Sequence, residues 1–178
     1  MNLKGSRTEK NLEAAFAGES MARNKYTYYA MKAREEGMEQ TAAYFEETAR
    51  NEQEHAFLWF KALHEGLPTT DVNLVDAAAG EHYEWTEMYK GFAEVAKEEG
   101  FDKISFQMEQ VAKIEHRHED RYNDLLKNLR DGNVFKRDEK VVWECDICGY
   151  QFEGEKAPGV CPVCGYKQAH FAIDVKNY

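Results

Sequence analysis

Two copies of the motif Glu-x-x-His, each inside a long helical pattern, constrain the fold of this 178-residue chain most strongly. They pair Glu52 with His55 and Glu115 with His118. Residues three apart lie on one face of a helix, so each pair can direct two ligand-type side chains at the same point. Both pairs fall in phase with the apolar residues of their own helix. The sequence therefore predicts carboxylates and imidazoles inside a helical core.

Apolar periodicity predicts four long helices in about the first 130 residues. Breaks at Gly37 and at "GLPTT" (66–70) separate the first three, and Gly132 closes the fourth. The third helix is expected to run from about Leu74 to Glu99. Residues 1–135 are thus predicted to form an all-α four-helix bundle made of two helical hairpins.

The two hairpins resemble each other, which indicates an internal repeat. Glu19 precedes Glu52 by 33 residues, and Glu81 precedes Glu115 by 34. Each half therefore supplies one glutamate and then one Glu-x-x-His at nearly the same separation. One glutamate from each of two helices, with Glu-x-x-His from the other two, is the ligand pattern known from ferritin-like di-iron bundles.

Several glutamates fall in the apolar stripes of these helices, and a further one follows at i+3. The five are Glu19, Glu52, Glu81, Glu84 and Glu115. Burying one unpaired carboxylate costs several kcal/mol, and like charges together cost more. Two ferrous ions carry four positive charges and two ferric ions six, which brackets the negative charge of the glutamates. We therefore expect a di-metal centre, with His55 and His118 as neutral nitrogen ligands.

Other polar residues near these motifs have different expected roles. Tyr26 lies two turns from Glu19 on the same face, so it could hydrogen-bond a ligand or donate a proton; the alternative is an ordinary core tyrosine. His82 and His116 are expected to point about 100° away from the ligands beside them, into solvent. Glu119 is left out of the ligand set.

The cysteines form two knuckles, "CDICGY" at 145–150 and "CPVCGY" at 161–166. The glycine of each knuckle allows a tight turn in which backbone amides face the sulfurs. Four thiolates suit tetrahedral iron or zinc. Iron is favoured, because a di-iron centre needs electrons returned singly after each oxidation; a structural zinc ribbon is the alternative. Residues 136–178 are predicted to form a small metal-bound domain of short strands and loops.

Composition argues against two classes of partner. The net charge of −10 argues against nucleic acid and anionic membranes, both of which need a basic surface. The start "MNLKGSRTEK" lacks the apolar core of a signal peptide, and no run approaches the roughly 20 apolar residues of a membrane span. We expect a cytoplasmic protein.

Together these motifs resemble the rubrerythrin family, in which a ferritin-like di-iron bundle precedes a rubredoxin-type domain, and the likeness covers essentially the whole chain. The resemblance implies two ligand sets. The di-iron ligands would be Glu19, Glu52, His55, Glu81, Glu84, Glu115 and His118, and the single iron would use Cys145, Cys148, Cys161 and Cys164. It also implies that Glu84 and His55 exchange as ligands of one iron when the redox state changes.

The same resemblance implies a peroxidase that reduces hydrogen peroxide to water in oxidative-stress defence. Electrons would come from NAD(P)H through separate carriers, such as a rubredoxin or a flavin reductase, and the chain would associate head to tail as a homodimer or larger. Two alternatives stay open. One is a ferroxidase or iron-handling protein with the same bundle ligands, and the other is a non-catalytic scaffold whose zinc ribbon binds a partner.

Overall fold

The computed structural model describes residues 2–175. It divides into two compact units that join at Pro68 and Thr69. The first unit is a helical hairpin, and the second contains the remaining helices and the cysteine-bearing sheet. Among the described residues no helix is both long enough and apolar enough to cross a bilayer. The expected domain boundary at residues 135 and 136 stays a prediction.

The first unit consists of α1 (Arg7–Glu35) and α2 (Glu39–Leu63). The Ser6 hydroxyl caps α1 by accepting a hydrogen bond from the Glu9 amide at 3.0 Å. Gly37, at φ 75°, ends the same helix as predicted. The buried side chains of the unit are alanines, including Ala30 and Ala42, which let the two helices approach closely.

The second unit begins with a helical run that is not regular throughout. It comprises α3 (Thr70–Tyr83), a π-helical turn (Glu84–Met88) and α4 (Tyr89–Glu98). The run starts four residues before the expected Leu74, because the extended Thr69 already accepts the first helical bond from the Asn73 amide.

The last helix, α5 (Asp102–Arg130), packs against both α3 and α4. The buried Ser105 hydroxyl joins it to α4 by donating to the carbonyl of Ala93 at 2.8 Å. The bidentate pair of Arg130 with Asp71, at 2.7 and 3.0 Å, joins its other end to the start of α3. These contacts fix α5 lengthwise against the helical run, which sets which residues face each other.

A three-stranded antiparallel sheet follows, made of β1 (Lys136–Cys145), β2 (Gln151–Lys156) and β3 (Phe171–Ile173) in the order β2-β1-β3. Trp143 is its central core residue, 1% exposed, and its indole donates to the Gly154 carbonyl at 2.9 Å. Helices up to residue 130 and short strands and loops after it confirm the predicted fold class.

Candidate metal centres

The hairpin of the first unit brings three predicted ligands together. Glu19 comes from α1, and Glu52 and His55 come from α2. The His55 Nδ1 atom lies 2.8 Å from a Glu52 carboxylate oxygen and 3.9 Å from one of Glu19. One donor atom from each of the three lies within 4.8 Å of the others. We call this group the first triad.

The second unit repeats the arrangement with Glu81 from α3 and with Glu115 and His118 from α5. The His118 Nδ1 atom lies 2.7 Å from a Glu115 carboxylate oxygen and 3.5 Å from one of Glu81. The Glu115 side chain is 13% exposed, so the fold withdraws a charged group largely from water. This second triad has the same donors in nearly the same geometry, and a cation would neutralise the charge that each triad concentrates.

Glu84, the fifth predicted carboxylate, opens the π-helical turn next to the second triad. Burial raises the pKa of its carboxyl, and the negative charges of Glu81 and Glu115 raise it further, while His118 opposes them. The carboxyl therefore lies close enough to all three members of the second triad to respond to their charges. A bound cation would reverse the sign of this interaction and make Glu84 available as a ligand.

Tyr89 is a residue at this site that the sequence did not indicate. Burial raises the pKa of its phenol, and the charges of Glu84, Glu115 and Glu81 raise it further, so the hydroxyl keeps its proton beside the carboxylates. On a regular α-helix a residue five places after Glu84 points about 140° away from it. Here the Tyr89 amide donates to the Glu84 carbonyl across the π turn, which changes that relation. Regular helical spacing could not have revealed it.

Tyr26, the tyrosine that the sequence did indicate, makes aromatic contacts. Its ring stacks on Phe45 at a centroid distance of 6.2 Å and lies 6.1 Å from Tyr29. This packing agrees with the alternative of a core tyrosine. Its role as a proton donor stays a prediction.

Glu119, left out of the predicted ligand set, contacts two side chains of the helical run. Its carboxylate, 18% exposed, accepts a hydrogen bond from the Trp85 indole at 2.5 Å and lies 3.1 Å from the His82 Nδ1 atom. The hydrogen bond from Trp85 lowers the pKa of Glu119, and the hydrogen bond with His82 lowers it further. His116 is exposed as expected, with 52% of its side chain accessible, and its ring also lies 4.4 Å from that of Trp85.

The two cysteine knuckles meet beside the small sheet. The sulfurs of Cys145 and Cys164 are 3.7 Å apart, and those of Cys148 and Cys161 are 3.6 Å apart. A donor atom from each of the four lies within 4.8 Å of the others. Cys145 and Cys161 are buried, whereas Cys148 is exposed. This is a compact set of four sulfur donors, as tetrahedral iron or zinc requires.

The knuckle backbone prepares these sulfurs for a cation. Gly149 and Gly165 adopt φ of 73° and 75°, and their amides donate to the carbonyls of Cys145 and Cys161. Burial opposes ionisation of the Cys161 thiol, but the amides of Cys164 and Val163 lower its pKa to about 7.

Cys148 behaves oppositely to Cys161. The Tyr150 amide lowers the pKa of the Cys148 thiol, but partial desolvation of the sulfur and the three neighbouring thiols raise it to about 12. The closeness of the four thiols therefore disfavours four thiolates in the absence of a cation, because each new negative charge disfavours the next. The donor set fits a metal that accepts four thiolates.

Comparisons with known proteins match the two parts of the chain to one family. The family model described as Rubrerythrin matches residues 10–126, and the one described as Rubrerythrin, rubredoxin-like domain matches residues 143–172. Rubrerythrin-1 of Clostridium acetobutylicum is 47% identical, with 99% of each chain covered. Rubrerythrin of Porphyromonas gingivalis is also 47% identical, over 99% of this chain and 94% of its own. The solved structure "Fully reduced state of nigerythrin (all ferrous)" is 32% identical, with 97% of this chain and 91% of that chain covered and a TM-score of 0.37.

Proposed function

Because this chain belongs to the rubrerythrin family, whose members join a di-iron bundle to a rubredoxin-like domain, we propose that it is a non-haem di-iron peroxidase that reduces hydrogen peroxide to water. The observation that carries the proposal is the combination in one chain of two matching Glu/Glu/His triads and a four-cysteine site. The triads are suited to the chemistry, and the cysteines are suited to delivering electrons one at a time.

Iron fits the donors of both kinds of site. Carboxylates with imidazole suit iron in the bundle, and four thiolates suit iron in the small domain. The first and second triads with Glu84 would hold two ions, and the cysteines would hold a third, although zinc could occupy the cysteines on isolation. When bound, the iron pair supplies the two electrons that peroxide reduction needs.

The chain's own groups would manage charge and protons. The Tyr89 phenol keeps its proton beside the carboxylates of Glu84, Glu115 and Glu81. It could give that proton to a reduced oxygen atom. We also propose that Glu84 and His55 exchange as ligands of one iron when the redox state changes, and that Tyr26 is a further proton donor.

Electrons would enter through the cysteine domain. Cys148 is exposed and lies beside Ile147, 47% exposed, while Val163 of the other knuckle is 67% exposed. An apolar surface around a redox-active thiolate site suits transient docking of an electron carrier. The ultimate donor would be NAD(P)H, through a rubredoxin or a flavin reductase. Assembly as a homodimer or larger, head to tail, and a cytoplasmic location complete the proposal.

Mixing the anaerobically reduced protein with one equivalent of hydrogen peroxide, or with dissolved oxygen, tests this function. We expect peroxide to restore the visible absorption of the oxidised cysteine iron rapidly, and oxygen to do so much more slowly. The control is the double variant His55→Ala and His118→Ala, which keeps the cysteine site but loses one donor from each triad. Its cysteine iron should stay reduced.

Two results would contradict the proposed peroxidase function. Faster oxidation by oxygen, with retention of excess iron, would indicate a ferroxidase instead. A colourless protein that holds only zinc would indicate a scaffold.

A further inference from the structure

Four side chains of the second unit share a position: each directly follows a proposed metal ligand in the chain. They are His82, Trp85, His116 and Glu119, which follow Glu81, Glu84, Glu115 and His118. Neighbours in a helix point about 100° apart, so these side chains leave the ligand face. The structure nevertheless gathers them into one contact group, which we call the Glu119 cluster.

Hydrogen bonds to one carboxylate connect the cluster. Glu119 of α5 accepts from the Trp85 indole at 2.5 Å and lies 3.1 Å from the His82 Nδ1 atom of α3. The ring of His116 covers the indole at 4.4 Å with an interplanar angle of 31°. The cluster therefore joins α3 and its π turn to α5 at the level of the second triad. Because Glu119 is mostly shielded from water, the bond from Trp85 is a strong, charge-assisted one.

Trp85 lies inside the π-helical turn, where a contact with another helix has the largest effect on the position of the turn. π turns are rare in helices and are found mainly at functional sites. The Thr86 hydroxyl also donates to the His82 carbonyl at 2.6 Å, a bond that slightly destabilises and bends helices. Contacts outside the helix are needed to keep such a turn in place. The bond from Trp85 to Glu119 is a contact of this kind.

The turn carries Glu84, a proposed ligand that is not a member of the second triad. In the absence of a cation, the like charges of Glu81 and Glu115 repel a charged Glu84 and favour any movement of the turn that takes it away from the second triad. A fixed indole one residue along the chain opposes the movement.

We propose that Trp85 and Glu119 are positioning residues: their hydrogen bond holds the π turn against α5 and so keeps Glu84 within reach of a metal ion at the second triad. The inference rests on the metal site of the proposed function, but it does not require that the protein reduce peroxide. Trp85 and Glu119 are not themselves ligands.

Anaerobic titration of the full-length protein with Co²⁺ tests the inference, because thiolate and carboxylate sites give different cobalt absorption bands. Trp85→Phe keeps an aromatic ring and removes only the indole donor and its second ring. We expect it to bind Co²⁺ at the second triad 10- to 100-fold more weakly, as loss of an outer hydrogen-bond partner typically does. Trp59→Phe is the matched control, since within the described residues the Trp59 indole nitrogen is buried without a partner. It should bind like the wild type.

A double-mutant cycle separates positioning from a general structural effect. If Trp85 acts through Glu84, Trp85→Phe should weaken Co²⁺ binding much less when Glu84→Gln is already present. Full additivity of the two changes would overturn the proposal, as would equal affinity of Trp85→Phe and wild type.

One further variant and the behaviour of the wild type keep the outcome decisive. Should Trp85→Phe fail to fold by circular dichroism, Glu119→Gln replaces it, because the amide weakens the same bond while keeping an acceptor oxygen. A wild type that binds no Co²⁺ outside the cysteines would overturn the triads as metal sites. A wild type that binds Co²⁺ outside the cysteines yet does not reduce peroxide would overturn only the proposed peroxidase activity.

Discussion

Replacing Gly165 by alanine should weaken the cysteine site by a predictable amount. Gly165 has φ of 75°, and its amide donates to the Cys161 carbonyl at 2.9 Å. A Cβ added there would meet no atom within 4 Å, and alanine keeps the amide. The cost is therefore that of the left-handed backbone alone, about 1–2 kcal/mol for a residue with a Cβ. If that strain falls on the metal-bound knuckle, the affinity for metal should drop roughly 5- to 30-fold.

Competition between the protein and a chelator for Zn²⁺ at the cysteines measures this affinity, and urea unfolding of the metal-loaded protein measures the stability. Gly159→Ala is the control in the same domain, since Gly159 has no left-handed φ and its added Cβ also meets no atom within 4 Å. Gly165→Asn should fall between wild type and Gly165→Ala, because asparagine tolerates the left-handed region. Equal affinities for Gly165→Ala and Gly159→Ala would refute the argument from backbone strain.

Three further predictions concern the bundle. Folding raises the pKa of the Glu84 carboxyl, so this group stabilises the fold at low pH and loses that contribution as the pH rises. The urea midpoint of the metal-free protein should therefore decrease as the pH rises above 4.5, the ordinary pKa of glutamate. Glu84→Gln should remove the part of this decrease that Glu84 causes. His118→Ala should lower the metal bound outside the cysteines by one equivalent, measured by elemental analysis after gel filtration, while His64→Ala should not. Ser105→Ala should lower the free energy of unfolding by about 1 kcal/mol, because it removes a buried hydroxyl donor; an unchanged urea midpoint would contradict this.

The sequence predicted that the triad residues come together, because their members follow regular spacing. Glu52 and His55 lie three apart on one helix, and the partner Glu19 comes from the helix joined to it by a short turn, so helical geometry alone brings them together. The cysteine site was predictable for a similar reason, since each knuckle is a local turn of fixed geometry.

The other features of the site depend on contacts between helices that residue spacing does not predict. The π turn gives Glu84 and Tyr89 relative directions that a regular helix would not give them. Glu119, on a distant stretch of chain, contacts the same turn through the Trp85 indole. Helical periodicity therefore missed Tyr89 and gave no sign that Glu119, left out of the ligand set, contacts Trp85 and His82. Periodicity also marks a stripe as apolar without showing what covers it: the apolar Phe92 of α4 is 51% exposed.

The spacing of the four sulfurs also determines how the metal-free protein responds to oxidation. Cys145 lies 3.7 Å from Cys164, and Cys148 lies 3.6 Å from Cys161, so each sulfur has a reaction partner in the other knuckle. Without a metal, one peroxide molecule would oxidise such a pair to a disulfide and leave two waters, and the low pKa of Cys161 supplies the attacking thiolate. A metal ion shields these thiols from that reaction. Protein that loses its metal under oxidising storage would become cross-linked between its knuckles and would need a thiol reductant before it could be reloaded.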